Sequence, residues 1–278
     1  MKTNRRRAPS LLLAAALLFG PALALAHNTW IRPLPPTDAG HRVLTLLTGD
    51  HYPNSDDGVS PELITESACQ AGSVIERPLR VLTPGGAGAP ARWRTGRPVP
   101  AGAALHCWAR LQPLDIPLTD EKVLHYFDDI RAGEAVRAAW SAQRARGVAW
   151  QEVYTKQARL LLPGEGGSMP PAGTAFPQGL DLQFGDTAWP RAGDRVRFQV
   201  LRDGKPVAGQ PIEFQHDGTP ARGWQVSDEA GWVSFPVPLP GLWMLRGTVL
   251  QTPQLQPAGG EGPWRSSFFT LVFEVRAR

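Results

Sequence analysis

Short apolar runs that end at Gly- or Pro-containing turns recur along most of this chain. In the first half they cover residues 43–47, 79–82 and 105–111, and turns at 84–86 and 100–102 separate them. Apolar runs of about 4–8 residues bounded by turn signals are typical of β-strands. The sequence therefore predicts a mainly β fold.

The β pattern is strongest after a Gly- and Pro-rich segment at residues 164–176, which predicts a domain boundary. Asp203 and Gly204 lie between two apolar runs, and an Asp-Gly pair in that place predicts a tight hairpin turn. The apolar runs beyond the boundary are 180–184, 196–200, 211–215, 232–237, 242–249 and 268–275. Regularly spaced strands of this kind indicate an immunoglobulin-like β-sandwich. We predict a sandwich domain at 176–278 and a β-rich region at 27–175.

One stretch of the N-terminal region, about residues 119–162, has a different composition. It is poor in Gly and Pro and rich in Ala, Glu, Lys, Arg and Leu. Asp120 is placed to cap a helix in which apolar residues recur at helical spacing, and further helices are predicted at 134–146 and 150–162. We therefore expect a helical insertion in an otherwise β-rich chain.

The first 26 residues have the order of a secretory signal peptide. Basic residues precede an apolar run at 11–19, and the small residues of Ala24-Leu25-Ala26 predict cleavage before His27. The stretch 11–26 contains Gly20 and Pro21 and is shorter than the roughly 20 residues of a membrane-spanning helix. We expect a periplasmic or secreted protein that is not an integral membrane protein after cleavage.

The basic character of the sequence comes from this leader. Four of the 29 Lys and Arg residues lie in it, and the 25 that remain equal the 25 Asp and Glu. A basic surface for nucleic acid is therefore not expected in the mature chain.

The chain has two cysteines, Cys69 and Cys107, 38 positions apart. Export to an oxidising compartment favours a disulfide between them, and two buried free thiols are the alternative. On the chain-entropy model such a bridge stabilises the fold by about 4 kcal/mol.

Several phrases of the sequence match a known family. The C-terminal part contains VLRDGKPVAGQPIEF, SDEAGWVSFPVPLPGLWMLRG and WRSSFFTLVFEV, and the N-terminal part contains AHNTWIRP, TGDHYPNSDDGVSPE and WQEVYTKQARLLL. With these motifs the mature chain resembles the exported bacterial family called domain of unknown function 4198, which is related to periplasmic components of nickel and cobalt uptake. The resemblance implies an immunoglobulin- or transthyretin-like sandwich, export, and a transition-metal role. A metal-transport system or another envelope protein would then be the partner.

His27 is the first candidate metal ligand. After cleavage it would offer an α-amine and an imidazole, two nitrogens that can chelate one ion. The alternative is that His27 simply begins the first strand.

A second ligand could come from another histidine. His51 follows a strand and has Asp50, Asp56 and Asp57 near it in sequence, so it is either a metal ligand with carboxylate support or a solvated turn residue. His125 on the predicted helix and His216 in a predicted hairpin are weaker candidates. His41 and His106 are expected to be structural.

Two positions depart from the family pattern as we interpret it. Val249 stands where many members have a histidine, and Arg265 stands where an acidic residue often follows the late Trp. If those positions form the family's metal site, this chain has lost or rebuilt it.

Sequence signals for catalysis are weak. Tyr154, Lys156 and Arg159 could form a polar network, but their spacing identifies no acid/base pair. No Gly-rich phosphate loop precedes a helix, and no Gly-x-Ser-x-Gly motif is present. A copper oxidase built on His27 stays open as an enzyme alternative.

The sequence thus predicts a non-enzymatic periplasmic protein that binds nickel, cobalt or copper through His27 and His51. The alternative from another class is a metal-free structural or carbohydrate- or protein-binding module, because the ten tryptophans could form aromatic binding platforms. The same tryptophans could equally be core residues.

Overall fold

The computed structural model describes residues 27–35, 40–82, 90–100, 102–169, 176, 178–254 and 261–278, apart from the side chain of Asp57. The predicted signal peptide lies outside the described residues, as does most of the segment 170–177.

The described residues form strands, two α-helices and two short 3-10 turns, Pro61–Leu63 and Glu165–Gly167. The helices are α1 Asp120–Asp129 and α2 Glu134–Ala145. The strands are β1 Asn28–Leu34, β2 Val43–Gly49, β3 Asp57–Gly58, β4 Ile64–Ala71, β5 Val74–Glu76, β6 Arg80–Val81, β7 Ala91–Arg94, β8 Leu105–Leu111, β9 Leu114–Leu118, β10 Trp150–Leu162, β11 Leu180–Phe184, β12 Asp194–Arg202, β13 Lys205–Pro206, β14 Pro211–His216, β15 Arg222–Val226, β16 Trp232–Val237, β17 Gly241–Gln251 and β18 Trp264–Val275.

The largest sheet runs through both halves of the chain. Its strand order is β15-β14-β17-β18-β10-β8-β4-β5, and β9 pairs with the first part of β10. At its centre β10 and β18 are parallel, with Glu152 opposite Trp264 and Leu161 opposite Phe273. This sheet is continuous across the boundary predicted near residue 175.

A smaller sheet packs on each face of the central one. One contains β11, β12, β13 and β16, and its core with the central sheet includes Phe198, Phe235 and Phe273. The other contains β1, β2, β3, β6 and β7, and its core includes Trp30, Trp93 and the two cysteines. The mainly β, sandwich-like fold predicted from the sequence is confirmed.

The two helices cover the part of the second face that the β1 sheet leaves open. Thr119 caps α1 by accepting a hydrogen bond from the Lys122 backbone N–H at 3.4 Å. The apolar side of the helices packs on the rings of Trp150 and Trp264, which stack with centroids 4.5 Å apart. The helix pair thereby forms one wall over β10 and β18.

The predicted helix at 150–162 is wrong, because this segment is β10. The strand lies in the middle of the sheet and residues 157–161 are buried on both faces, so the usual strand alternation is lost there. In the first half of the strand, the charged residues Glu152 and Lys156 occupy inward positions. The alternation of apolar and polar residues expected of a strand is therefore hidden there as well. The helical insertion is limited to α1 and α2.

Two local predictions are confirmed. Cys69 and Cys107 face each other across β4 and β8, with Cα atoms 4.0 Å apart, and form the disulfide. Asp203 and Gly204 have φ angles of 52° and 75°, and Arg202 pairs with Lys205 across the turn. Positive φ at both central residues is the tight hairpin turn that an Asp-Gly pair favours.

None of the helices in the described part of the chain is long and apolar enough to cross a membrane.

Candidate metal site and the adjoining cavity

The pairing of β1 with β2 determines where His27 lies. Asn28 is opposite Gly49, so the residue before β1 and the residue after β2, His27 and Asp50, adjoin. The strand end is held by Thr48 Oγ1, which donates to the Asn28 carbonyl at 2.9 Å, and by Thr270 Oγ1, which donates to the Thr29 carbonyl. His27 is therefore fixed at a defined place beside the β2–β3 loop.

Three potential ligand atoms meet at this place. His27 Nδ1 lies 3.3 Å from Asp50 Oδ1 and 3.3 Å from Asp56 Oδ2. All three atoms are within 4.8 Å of one another. The His27 side chain is 18% exposed, and the two carboxylates are 40% and 53% exposed.

The loop between β2 and β3 brings the two carboxylates together. Asp56 N–H donates to the Thr48 carbonyl at 3.0 Å, and Asp50 N–H donates to Asp56 Oδ2 at 3.1 Å. A Cβ at Gly49 would lie 2.8 Å from the backbone oxygen of Asn54, so the chain needs glycine there for the loop to close.

His27 Nδ1 is buried and forms no hydrogen bond within the described residues. A buried ring nitrogen that faces two carboxylates without a hydrogen bond is either the N–H of a loose ion pair or a donor atom for a cation. Imidazole and carboxylate together are ligands that zinc, nickel, cobalt and copper accept. Ligands of one such ion, bonded at about 2.0–2.2 Å, lie roughly 3–4 Å apart, and the observed separations suit that range.

The sequence predicts His27 as a metal ligand and predicts the nearby aspartates as neighbours of His51. The structure places Asp50 and Asp56 beside His27 instead. Their position could not be inferred from spacing, because it depends on the register of β1 against β2.

His51 and His125 are exposed and line one cavity, together with Asp50. His216 is buried, and its ring nitrogens have partners: Nε2 contacts the Pro240 carbonyl at 3.0 Å, and Nδ1 accepts from Gly218 N–H at 3.1 Å. The structure therefore does not bring His51, His125 or His216 into the group formed by His27.

The cavity next to the three-residue group has a volume of about 270 Å³ and is bounded by β9, β10, α1 and the ends of neighbouring strands. Its apolar and aromatic lining comprises Ile116, Leu118, Tyr126, Tyr154 and Phe268, and its polar lining comprises Asp50, His51, Lys122, His125, Asp129, Glu152, Lys156, Gln215, Arg222 and Arg246. This mixture of apolar walls and converging polar groups is typical of small-molecule sites.

Arg246 joins the cavity to the start of β1. It makes a two-pronged pair with Asp129 at 2.9 and 2.8 Å, donates to Glu213, and lies 3.4 Å from Asn28 Oδ1. These carboxylates raise the pKa of Arg246 despite its burial. Its charge is thus compensated within the protein.

Glu152 lies on the cavity wall and is almost fully buried. It accepts hydrogen bonds from Tyr126 Oη at 3.2 Å, from Trp150 Nε1 at 3.0 Å and from Ser266 Oγ. Burial raises its pKa, and these hydrogen bonds oppose the shift.

The polar network predicted for Tyr154, Lys156 and Arg159 is divided between the two faces of β10. Tyr154 and Lys156 face the cavity. Arg159 faces the other side, where it donates to His106 Nε2 at 3.0 Å and pairs with Asp181. Residues of opposite parity in a strand point to opposite faces, so the three cannot form one site.

The two departures from the family pattern also lie away from the candidate site. Val249 is opposite Ser267 in the β17–β18 pair, and Arg265 has the same parity as Ser267. The cavity-lining Phe268 has the other parity, so Val249 and Arg265 are on the opposite face of the sheet.

Comparison with known proteins gives a family match over part of the chain. A search of curated proteins found no match. One of the matching solved structures is the crystal structure of the chicken CNTN1 FN1–FN3 domains, at 8% identity and a TM-score of 0.19, covering 89% of this chain and 66% of that one. A TM-score of this size supports no argument about this chain. The family model described as domain of unknown function (DUF4198) matches residues 167–250, which supports the resemblance to the DUF4198 family over that segment.

Proposed function

We propose that this protein is exported and binds one divalent transition-metal ion, nickel, cobalt or copper, at His27, Asp50 and Asp56. The observation that supports it most is that His27 Nδ1 is buried, makes no hydrogen bond within the described residues and faces two carboxylate oxygens at 3.3 Å each. Exposure of the two aspartates gives a cation access from solvent.

The ring nitrogen that faces the two carboxylates is Nδ1 of His27, and this nitrogen can form a chelate with the α-amine of the same residue. If cleavage follows Ala26, His27 also has a free α-amine. Three carbon atoms separate this amine from Nδ1, so a metal bound to both closes a six-membered ring, whereas Nε2 points away from the amine. The ordinary pKa of an α-amine is about 7.7–8.0, so an ion can displace its proton near neutral pH.

The donor set would then contain two nitrogens and two carboxylate oxygens. The metal affinities of such a donor set follow the Irving–Williams order, so copper should bind most tightly among these metals in vitro. We propose that the protein binds and presents the ion, without turnover. A role as an accessory of metal uptake is part of the proposal and comes from the family resemblance.

The test is a calorimetric titration of nickel, cobalt, copper and zinc into protein processed to start at His27, with native mass spectrometry to count bound ions. We expect one ion per chain. Asp56→Asn should weaken binding about tenfold or more, because it removes a charged ligand. Asp115→Asn, an exposed residue on β9, is the matched control and should bind as the wild type does.

A variant with one Gly inserted before His27 tests the amine. It keeps the imidazole and both carboxylates, and we expect weaker binding because the chelate ring is lost. Absence of binding by the processed wild type would refute the proposal and favour the metal-free module. Binding that is equal in wild type and Asp56→Asn would place the ion elsewhere.

A further inference from the structure

Lys156 is an unusual residue of the cavity wall. It is 9% exposed, and its ammonium lies 5.4 Å from the centre of the Tyr154 ring. Within the residues that the structure describes, this ammonium forms no hydrogen bond or ion pair, and it faces the cavity. Burial lowers the pKa of Lys156 to about 8, so most of it is still charged at neutral pH. A buried cation without a close counter-ion is costly, and an anion in the cavity would offset this cost.

The other charges of the cavity do not supply that anion. Asp129 is paired with Arg246, and the Glu152 carboxylate accepts hydrogen bonds from Tyr126, Trp150 and Ser266. Asp50 influences Lys156 through space without forming a close ion pair with it. Within the described residues, none of these carboxylates forms an ion pair with Lys156.

A second hydrogen-bond donor lies beside Lys156. Tyr154 is two residues earlier on β10 and faces the same cavity, and its hydroxyl makes no hydrogen bond within the described part of the chain. An ammonium and a phenol hydroxyl that border one cavity can both donate to a carboxylate bound in it.

The remaining wall suits a hydrocarbon group. Ile116 and Leu118 of β9 and Phe268 of β18 line the cavity. Both strands pair with β10, which carries the two donors. The volume of about 270 Å³ equals that of about nine water molecules, which limits a ligand to small molecules.

We propose that this cavity binds a small organic monocarboxylate. Its carboxylate accepts hydrogen bonds from Lys156 and Tyr154, and its hydrocarbon part packs on Ile116, Leu118 and Phe268. This site is separate from the metal proposal, although Asp50 borders both.

The test is a calorimetric titration of hexanoate and benzoate into metal-free purified protein, with hexanamide and inorganic phosphate as comparison ligands. We expect the two carboxylates to bind, and hexanamide and phosphate to bind at least about tenfold more weakly, because the first lacks the charge and the second the hydrocarbon group. Phosphate binding as strong as that of hexanoate would refute the organic carboxylate.

Lys156→Met keeps most of the length of the side chain and removes its charge. It should weaken hexanoate binding about tenfold or more, and Tyr154→Phe should weaken it by a smaller factor. Lys205→Met, at an exposed position of β13, is the matched control and should bind hexanoate like the wild type. Thermal unfolding of each variant shows whether it is folded.

Equal hexanoate affinity in the wild type and in folded Lys156→Met would overturn the proposal, as would no carboxylate binding up to millimolar concentration. Asp56→Asn removes a metal ligand outside the cavity lining, so it should leave hexanoate binding unchanged. The two proposals can therefore fail independently.

Discussion

At the scale of single residues, His106 and Arg159 are polar groups buried inside this β protein and held by specific partners. His106 lies in β8 and accepts from Arg159 Nε, and Arg159 also pairs with Asp181 of the facing sheet. An imidazole nitrogen that accepts from a guanidinium must be unprotonated at that atom. Burial, helped by the Arg159 charge, lowers the pKa of His106 to about 2.

This depressed pKa predicts acid sensitivity. The unfolded chain binds a proton at His106 near the ordinary pKa of about 6.5, whereas the folded chain does not until about pH 2. The unfolded state therefore binds more protons across this window, and the free energy of unfolding falls as the pH falls, by up to about 1.4 kcal/mol per pH unit from this residue.

His106→Gln keeps an acceptor for Arg159 but does not titrate. We expect the free energy of unfolding of this variant, measured by urea titration between pH 7 and 4, to fall less steeply than that of the wild type. Parallel curves for the two proteins would show that His106 does not cause the acid sensitivity.

At the scale of elements, the strands next to the edge of the central sheet are held by a covalent link. The disulfide joins β4 to β8, and both cysteines are buried against the β1 sheet. β4 has only the three-residue β5 beyond it, so few backbone hydrogen bonds hold this side of the sheet.

Replacing both cysteines by alanine should destabilise the protein by about 4 kcal/mol, since the bridge closes a loop of 38 residues in the unfolded chain. Urea unfolding midpoints of the wild type and Cys69→Ala/Cys107→Ala give this difference. The wild type unfolded in a thiol reductant should lose a similar amount, and no loss in either case would contradict the entropic account.

Some elements of the fold can be predicted from a local sequence pattern alone. The turn at Asp203 and Gly204 depends on residues next to one another, and helices α1 and α2 depend on spacing within about one turn. β10 could not be recognised in this way, because its position between β8, β9 and β18 determines its burial.

At the scale of the whole molecule, the central sheet contains strands from both sides of the predicted boundary. β18 lies between β17 of the C-terminal half and β10 of the N-terminal half, and its buried residues contribute to cores on both faces. Removal of residues 27–175 would expose one edge and much of one face of this strand.

We therefore predict that a fragment containing residues 176–278 does not fold on its own. Circular dichroism should show no cooperative thermal transition for the fragment, whereas the intact chain should show one. A cooperative transition of the isolated fragment would establish it as an independent sandwich domain.

One part of the candidate site could be predicted from the sequence, and the other part required the tertiary structure. His27 could be proposed from the sequence, because a predicted cleavage site precedes it directly. The proposed ligand role of Asp50 and Asp56 needed the β1–β2 register, and the proposed role of Lys156 and Tyr154 in the cavity needed the correct assignment of β10 as a strand.

The sequence by itself predicted the β class, the two helices and the hairpin turn, since these depend on backbone preferences of neighbouring residues. It also favoured the disulfide over two free thiols, since the chain has only two cysteines. The tertiary structure alone decided the parallel pairing of β10 with β18, the grouping of His27 with Asp50 and Asp56, and the burial of Lys156. These features join residues far apart in the chain, and many pairings are compatible with each local pattern. Burial of both sheet faces selects among them, because it is a property of the folded molecule as a whole.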